Sequence, residues 1–150
     1  MPASNTPKSK ENPPPGIRIS NLQNRYRIST RRLQNQSEKI PALLQKKWPG
    51  TLALLEIVLV DEAESARVHR EFLQDPSPTD VITFEHGELV ICPAVAERQR
   101  HIEGLSLEDE ILTYIIHGCL HLCGMEDHTE RGFKAMRALQ AKIRGNILRA

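Results

Sequence analysis

His117-Gly118-Cys119-Leu120-His121-Leu122-Cys123-Gly124-Met125-Glu126-Asp127-His128 is the stretch that decides how the rest of this 150-residue chain is read. Two histidines stand four positions apart in an apolar run of helical periodicity. A glycine able to end the helix follows, and then an acid–histidine pair. Positions i and i+4 share one face of an α-helix. Two imidazoles placed there can grip one ion, and a third ligand delivered by the turn after Gly124 completes three protein ligands with one position left for water. That is the layout of a catalytic zinc centre. The general HExxH pattern puts a glutamate after the first histidine as the general base of a metalloprotease. Here that position is Gly118, which speaks against peptide hydrolysis by that route. The third ligand stays open between Asp127 and His128: carboxylate and imidazole are both accepted by zinc, and the one left unbound can orient a ligand from behind.

Other candidate ligands fall away from this face. Cys119 and Cys123 each follow a motif histidine by two positions, about 200° round a helix. They point elsewhere and read as small buried hydrophobes, as does Cys92 before Pro93. His69, His86 and His101 are scattered and suit surface or cap positions.

Working outward, Ser106 and Asp109 form a capping-box-like start for a motif helix over Leu107–Cys123, with Ile111, Leu112, Ile115 and Cys119 as its apolar stripe. From Thr129 a last helix carries Phe133, Met136, Leu139, Ile143 and Ile147 at helical spacing. Upstream, Pro93 suits a helix start reaching about His101. Val81–Phe84 and Glu88–Ile91 flank His86-Gly87 as a hairpin. Asp61 caps a helix from Glu62 to about Leu73, and Asp75–Pro78 is a stiff loop. Leu52–Val60 is almost continuously aliphatic, the pattern of a strand covered on both faces. Ser29 or Thr30 starts a helix towards Lys47, with Leu33, Ile40, Leu43 and Leu44 inward and Pro41 interrupting it. Ile17–Leu22 is a first short strand. The expected fold is α+β: residues 17–150 form a single domain with a small mixed β-sheet packed with helices around a central metal-binding helix. Residues 1–16 contain five prolines and read as a disordered tail.

The hydrophobic share of 39% and charged share of 26% are those of an ordinary soluble domain. No apolar stretch approaches membrane-spanning length, so no membrane partner is expected. No secretory leader is visible, and three cysteines do not make a disulfide framework; both suit a reducing cytoplasm. Residues 1–50 hold ten Lys/Arg against two Glu, whereas residues 51–150 hold ten against seventeen acids. A basic arm on an acidic body is compatible with a nucleic-acid partner. Tyr26 among Arg25, Arg27, Arg31 and Arg32 can stack on RNA and pair with its phosphates, or equally lead into a helix with Tyr26 packed on the body.

His117–His128 resembles the signature of the YbeY family, bacterial rRNA-maturation endoribonucleases whose motif reads HGxLHLxGYDH. His117, Gly118, Leu120, His121, Leu122 and Gly124 match position by position. Pro78–Phe84 resembles the family's PTDVLSF segment, and Gly87–Ile91 its GDIVI strand. The resemblance covers about residues 50–145. It implies a zinc-dependent endoribonuclease specific for single strands, with one Zn2+ per chain, acting on rRNA 3′ ends and in ribosome quality control. RNA, the ribosome or its small subunit would be the partner; oligomeric state is left open.

Two departures qualify the resemblance. Where the family has its third histidine this chain has Asp127. The gapless register, which also puts Met136 at the family's methionine nine residues later, favours Asp127 as ligand; a one-residue insertion would give His128. The family's arginine before PTDV, thought to serve the substrate phosphate, corresponds to Leu73 in the pair Phe72-Leu73. Arg70, one turn earlier, is the weak candidate for that contact. No general base is assigned beyond a conceivable carboxylate of Glu88 or Asp80. The alternative readings are a non-enzymatic ribosome-assembly factor with a structural zinc and, more weakly, a metalloprotease.

Overall fold

Burial alternates along Leu54–Leu59 (β2), and that alternation orients the sheet. Leu55, Ile57 and Leu59 are wholly buried, while Leu54 is 39% exposed. A strand with period-two burial presents one face to a thick core. The aliphatic run is continuous because the other face carries a second, thinner cluster: Val60, Val68, Ile82 and Val90, flanked by Val58 and Phe84. Both faces of the strand are thus covered, one more deeply than the other. The structure, a computed structural model, describes residues 16–44, 47–73 and 81–149. The expected tail apart from Gly16, the Asp75–Pro78 loop and Asp80 lie outside the described residues.

β2 pairs in parallel with Gly16–Asn21 (β1) on one side and Glu88–Ile91 (β4) on the other. Val81–Phe84 (β3) runs antiparallel beside β4 at the edge, giving the order β1-β2-β4-β3. This is the small mixed sheet of an α+β domain. The β3–β4 hairpin turns at Gly87, whose φ is +105° and whose amide donates to the Phe84 carbonyl at 2.9 Å. A Cβ there would meet the Leu54 carbonyl oxygen at 2.7 Å.

Parallel neighbours need crossovers. The β1–β2 crossover contains Thr30–Ser37 (α1), capped by Ser29, and Ile40–Leu43 (α2). The single helix expected towards Lys47 is thus two: the chain breaks at Glu38-Lys39, and Pro41 sits in the first turn of α2, where its missing N–H costs nothing. Leu43, expected inward, is exposed, whereas Leu33, Ile40 and Leu44 are buried. From α1 the Gln34 side chain reaches the outer edge of β1, accepting from the Ile19 N–H and donating to the Ile17 carbonyl. The edge strand's backbone is thereby satisfied and shielded.

Asp61 caps Glu62–Val68 (α3), which continues as a π-helical turn over His69–Leu73. Pro93–Gln99 (α4) tightens into a 3-10 turn at Arg100–Ile102. Leu107–Leu122 (α5) starts at Ser106, whose Oγ accepts from the Asp109 N–H at 3.1 Å, and Glu130–Arg149 (α6) ends the chain's described part. No described helix is long and apolar enough to cross a membrane.

α5 is the central helix, packed against α1, α4, α6 and the β3–β4 side of the sheet. Glu110 to Ile116 are all buried, as are Gly118, Cys119 and Leu120. A helix buried all round must approach its neighbours closely. At Gly118 it lies flush on β4: a Cβ would stand 2.6 Å from a methyl of Leu89, itself fully buried. We expect Gly118→Ala to destabilise the fold by about 1–3 kcal/mol in denaturant unfolding. Combined with Leu89→Ala, it should cost less than the two single changes added together; strict additivity would show that the contact is not felt.

Candidate metal centre

The C-terminus of α5 is built to bring distant atoms together. Gly124 has φ +91°, a conformation that strains side-chain-bearing residues. Its N–H donates to the His121 carbonyl at 2.9 Å, and the Met125 N–H donates to the Leu120 carbonyl at 3.0 Å. That pair of bonds is a Schellman end. It folds the chain back so that the Met125 carbonyl accepts from His121 Nδ1 at 3.0 Å. The next two residues carry the chain to Asp127.

His117, one turn earlier on the same face, has its Nδ1 against Gln140 Oε1 of α6. With both rings neutral, the Nδ1 atoms are the donors and the Nε2 atoms carry the lone pairs. These two Nε2 atoms face each other at 2.9 Å. Two lone pairs so close repel unless a cation lies between them or beside them. Asp127 closes the triangle, with Oδ2 3.8 Å from His117 Nε2 and Oδ1 3.8 Å from His121 Nε2. A tetrahedral ion with bonds of about 2.0–2.1 Å spaces its donors roughly 3.3 Å apart, and the three separations bracket that spacing. Among the described residues, these three form the one group whose ligand atoms all lie within 4.8 Å of one another. The group can hold a metal ion. Burial, reinforced by the neighbouring His117 ring, lowers the His121 pKa, which keeps its imidazole available as a neutral donor.

The triangle opens into a cavity of about 490 Å³, walled by α5, α6, the turn after α4 and β3. Glu110, Thr113 and Tyr114 line it from α5; Phe133, Met136, Arg137 and Gln140 line it from α6. Met136 is buried beneath the site.

Other sequence candidates are placed differently. His128 stands at the cavity rim with its side chain 78% exposed, 3.9 Å from Glu126, and is not in the triangle. Arg70 is exposed on the π-helical turn and does not line the cavity. Glu88 lies beside His86 at 3.7 Å on the hairpin, also off the cavity. Arg25 and Tyr26 border a separate, smaller hollow beside Asp61–Ala63. Cys92 and Cys119 are buried and Cys123 half-buried; burial pushes the thiols of Cys119 and Cys123 up, so neither readily offers a thiolate. Phe133, one of the apolar residues at helical spacing on α6, is 47% exposed at the cavity.

Gln140 was not legible as a site residue, although its helical spacing from Met136 puts it on the same face of α6. Arg137 and Glu103 were missed as well, because they reach the cavity from elements distant in sequence.

Known proteins similar to this chain fall in one family. The family described as "Endoribonuclease YbeY" matches residues 18–147. A relative named Endoribonuclease YbeY from Acidothermus cellulolyticus is 35% identical over 113 residues, 61% of this chain and 69% of that protein. One of the same name from Thermotoga sp. (strain RQ2) is 32% identical over 117 residues, 73% of this chain and 77% of that protein. Another from Thermobifida fusca is 40% identical over 96 residues, which span 53% of this chain and 61% of the relative. The solution structure of TM1509 from Thermotoga maritima superposes with a TM-score of 0.61 at 29% identity, covering 87% of this chain and 88% of that one.

If Gln140 holds the His117 ring, Gln140→Leu should weaken Zn2+ or Co2+ affinity by about 10–100-fold in a competition titration, with the melting temperature little changed. Unchanged affinity would show that His117 needs no such support.

Proposed function

This chain belongs to the YbeY endoribonuclease family, and from that premise we propose that it is a zinc-dependent endoribonuclease acting on single-stranded rRNA. His117, His121 and Asp127 are the ligands of one Zn2+ in this reading. The observation that carries it is the pair of convergent Nε2 lone pairs 2.9 Å apart, each ring fixed from behind, with a carboxylate completing the triangle on an open cavity. When bound, zinc supplies Lewis acidity that activates water and polarises a phosphodiester.

The chain's own residues do the rest. Gln140 and the Met125 carbonyl fix the tautomer and tilt of the two rings. Asp127 adds negative charge that favours a divalent cation. The cavity leaves one side of the triangle open to substrate, as a catalytic site needs. A closed structural site would need a fourth donor, and among the described residues no further His, Cys, Asp or Glu joins the group. The metalloprotease alternative is countered by packing: a side chain at position 118 would run into Leu89 and not into the cavity.

We take residues 17–150 as one functional domain, since one core runs from Ile17 to Ile147. The intended setting is rRNA 3′-end maturation and ribosome quality control in the cytoplasm, with ribosomal RNA or the small subunit as partner. Free, largely buried cysteines suit that reducing compartment.

The test is cleavage of a labelled single-stranded rRNA 3′-end fragment by the purified protein. Cutting should require zinc, stop with chelator, and fall to background in His121→Ala while the far-ultraviolet circular dichroism is retained. Cutting that survives chelation or the substitution would refute the metal assignment. Stoichiometric zinc without any cutting would favour an assembly factor.

A further inference from the structure

Phe133 and Arg137 lie one turn apart on α6 and both face the cavity that holds the His117–His121–Asp127 triangle. Their surroundings are odd for residues that serve only the fold. Phe133 is 47% exposed, so its ring contributes little to the core. The Arg137 guanidinium sits 5.7 Å from the centre of that ring, a cation–π distance that presents ring and charge together. Ile102, 73% exposed, adds apolar surface at the same cavity.

The charge pattern is equally specific. Among the described residues lining the cavity, Arg137 is the one Lys or Arg; Glu103, Glu110 and Asp127 are all acidic. An anionic substrate entering here meets one side-chain cation. Arg137 rests on Glu103, Nη2 to Oε1 at 3.0 Å. The other oxygen of Glu103 accepts from Arg144 at 3.1 Å. Arg144 is only 13% exposed and is anchored again by donating to Thr113 Oγ1 at 3.0 Å. One carboxylate thus holds two guanidiniums. Glu103 stays neutralised by the largely covered Arg144 when the exposed Arg137 turns to another anion, so releasing Arg137 strands no charge.

Resting on the ribonuclease reading above, we propose that Phe133 and Arg137 form a single-strand nucleotide subsite. A base stacks on the Phe133 ring, and Arg137 pairs with an adjoining backbone phosphate. Stacking on an exposed aromatic needs a base free of its partner strand, which makes this subsite a source of preference for single strands. Arg144 and Glu103 are positioning residues for Arg137.

The test uses the zinc-loaded full chain and a fluorescein-labelled single-stranded 2′-O-methyl oligoribonucleotide, checked for integrity on a gel. Affinity is read by anisotropy against salt concentration. We expect Arg137→Ala to weaken binding on the order of tenfold and to reduce the slope of log affinity against log salt by about 0.7, the signature of one lost phosphate contact on a single strand. Arg137→Lys should restore the slope. Phe133→Ala should weaken binding about tenfold with the slope unchanged, and Phe133→Trp should restore it. On a cleavable strand both losses should appear chiefly in KM. Wild-type binding matched by all four variants, with melting temperatures intact, overturns the subsite and leaves the ribonuclease reading standing. A zinc-loaded wild type that neither binds nor cuts single-stranded RNA overturns both.

Discussion

Two imidazole nitrogens that face each other at 2.9 Å, each with its proton committed elsewhere, are the constraint on which this molecule depends. Neutral lone pairs do not approach so closely without a cation to share. The surrounding structure maintains the approach from two directions. The Schellman end of α5 returns the Met125 carbonyl to His121, and α6 lays Gln140 against His117. Asp127 then has a short path from Gly124 to the open side of the pair. The helix ending, the crossing of α5 and α6, and the composition of the turn all serve one separation.

The same geometry explains a residue that sequence patterns treat as a departure. A glutamate after the first histidine would mark a peptidase, but Gly118 occupies that position. α5 is buried on nearly every side, and at Gly118 it touches Leu89 of β4 so closely that even a methyl group has no room. In this packing His117 and His121 line the cavity, while position 118 meets Leu89 of the sheet. Packing of the central helix thus limits which chemistry the motif can support. The cavity side has a complementary logic, with acidic residues around the triangle and, among the described residues that line it, one exposed arginine held by a doubly paired glutamate.

Much of this was legible in the sequence because it is local. Helix starts at Ser29, Asp61 and Ser106, the hairpin around Gly87, the Gly124 helix end and the motif face all follow from spacing and cap chemistry. What escaped was set by neighbours. The break of α1 and α2 at Glu38-Lys39 and the exposure of Leu43 depend on what packs nearby. Phe133 fits the apolar stripe of α6 by spacing, yet the stripe runs past the end of the core and leaves it at the cavity. Gln140, Arg137 and Glu103 join the site only through the α5–α6 crossing, which no local pattern encodes. The choice between Asp127 and His128 turned on register in the sequence; in the fold, one faces the histidine pair and the other faces solvent.

The most direct measurement is zinc stoichiometry by equilibrium dialysis and elemental analysis of the wild type, Asp127→Ala and His128→Ala, at zinc concentrations just above saturation of the wild type. We expect one zinc per chain in the wild type, one retained in His128→Ala, and loss in Asp127→Ala. Retention in Asp127→Ala with loss in His128→Ala would contradict it, and would mean that the chain after Gly124 delivers the imidazole instead of the carboxylate.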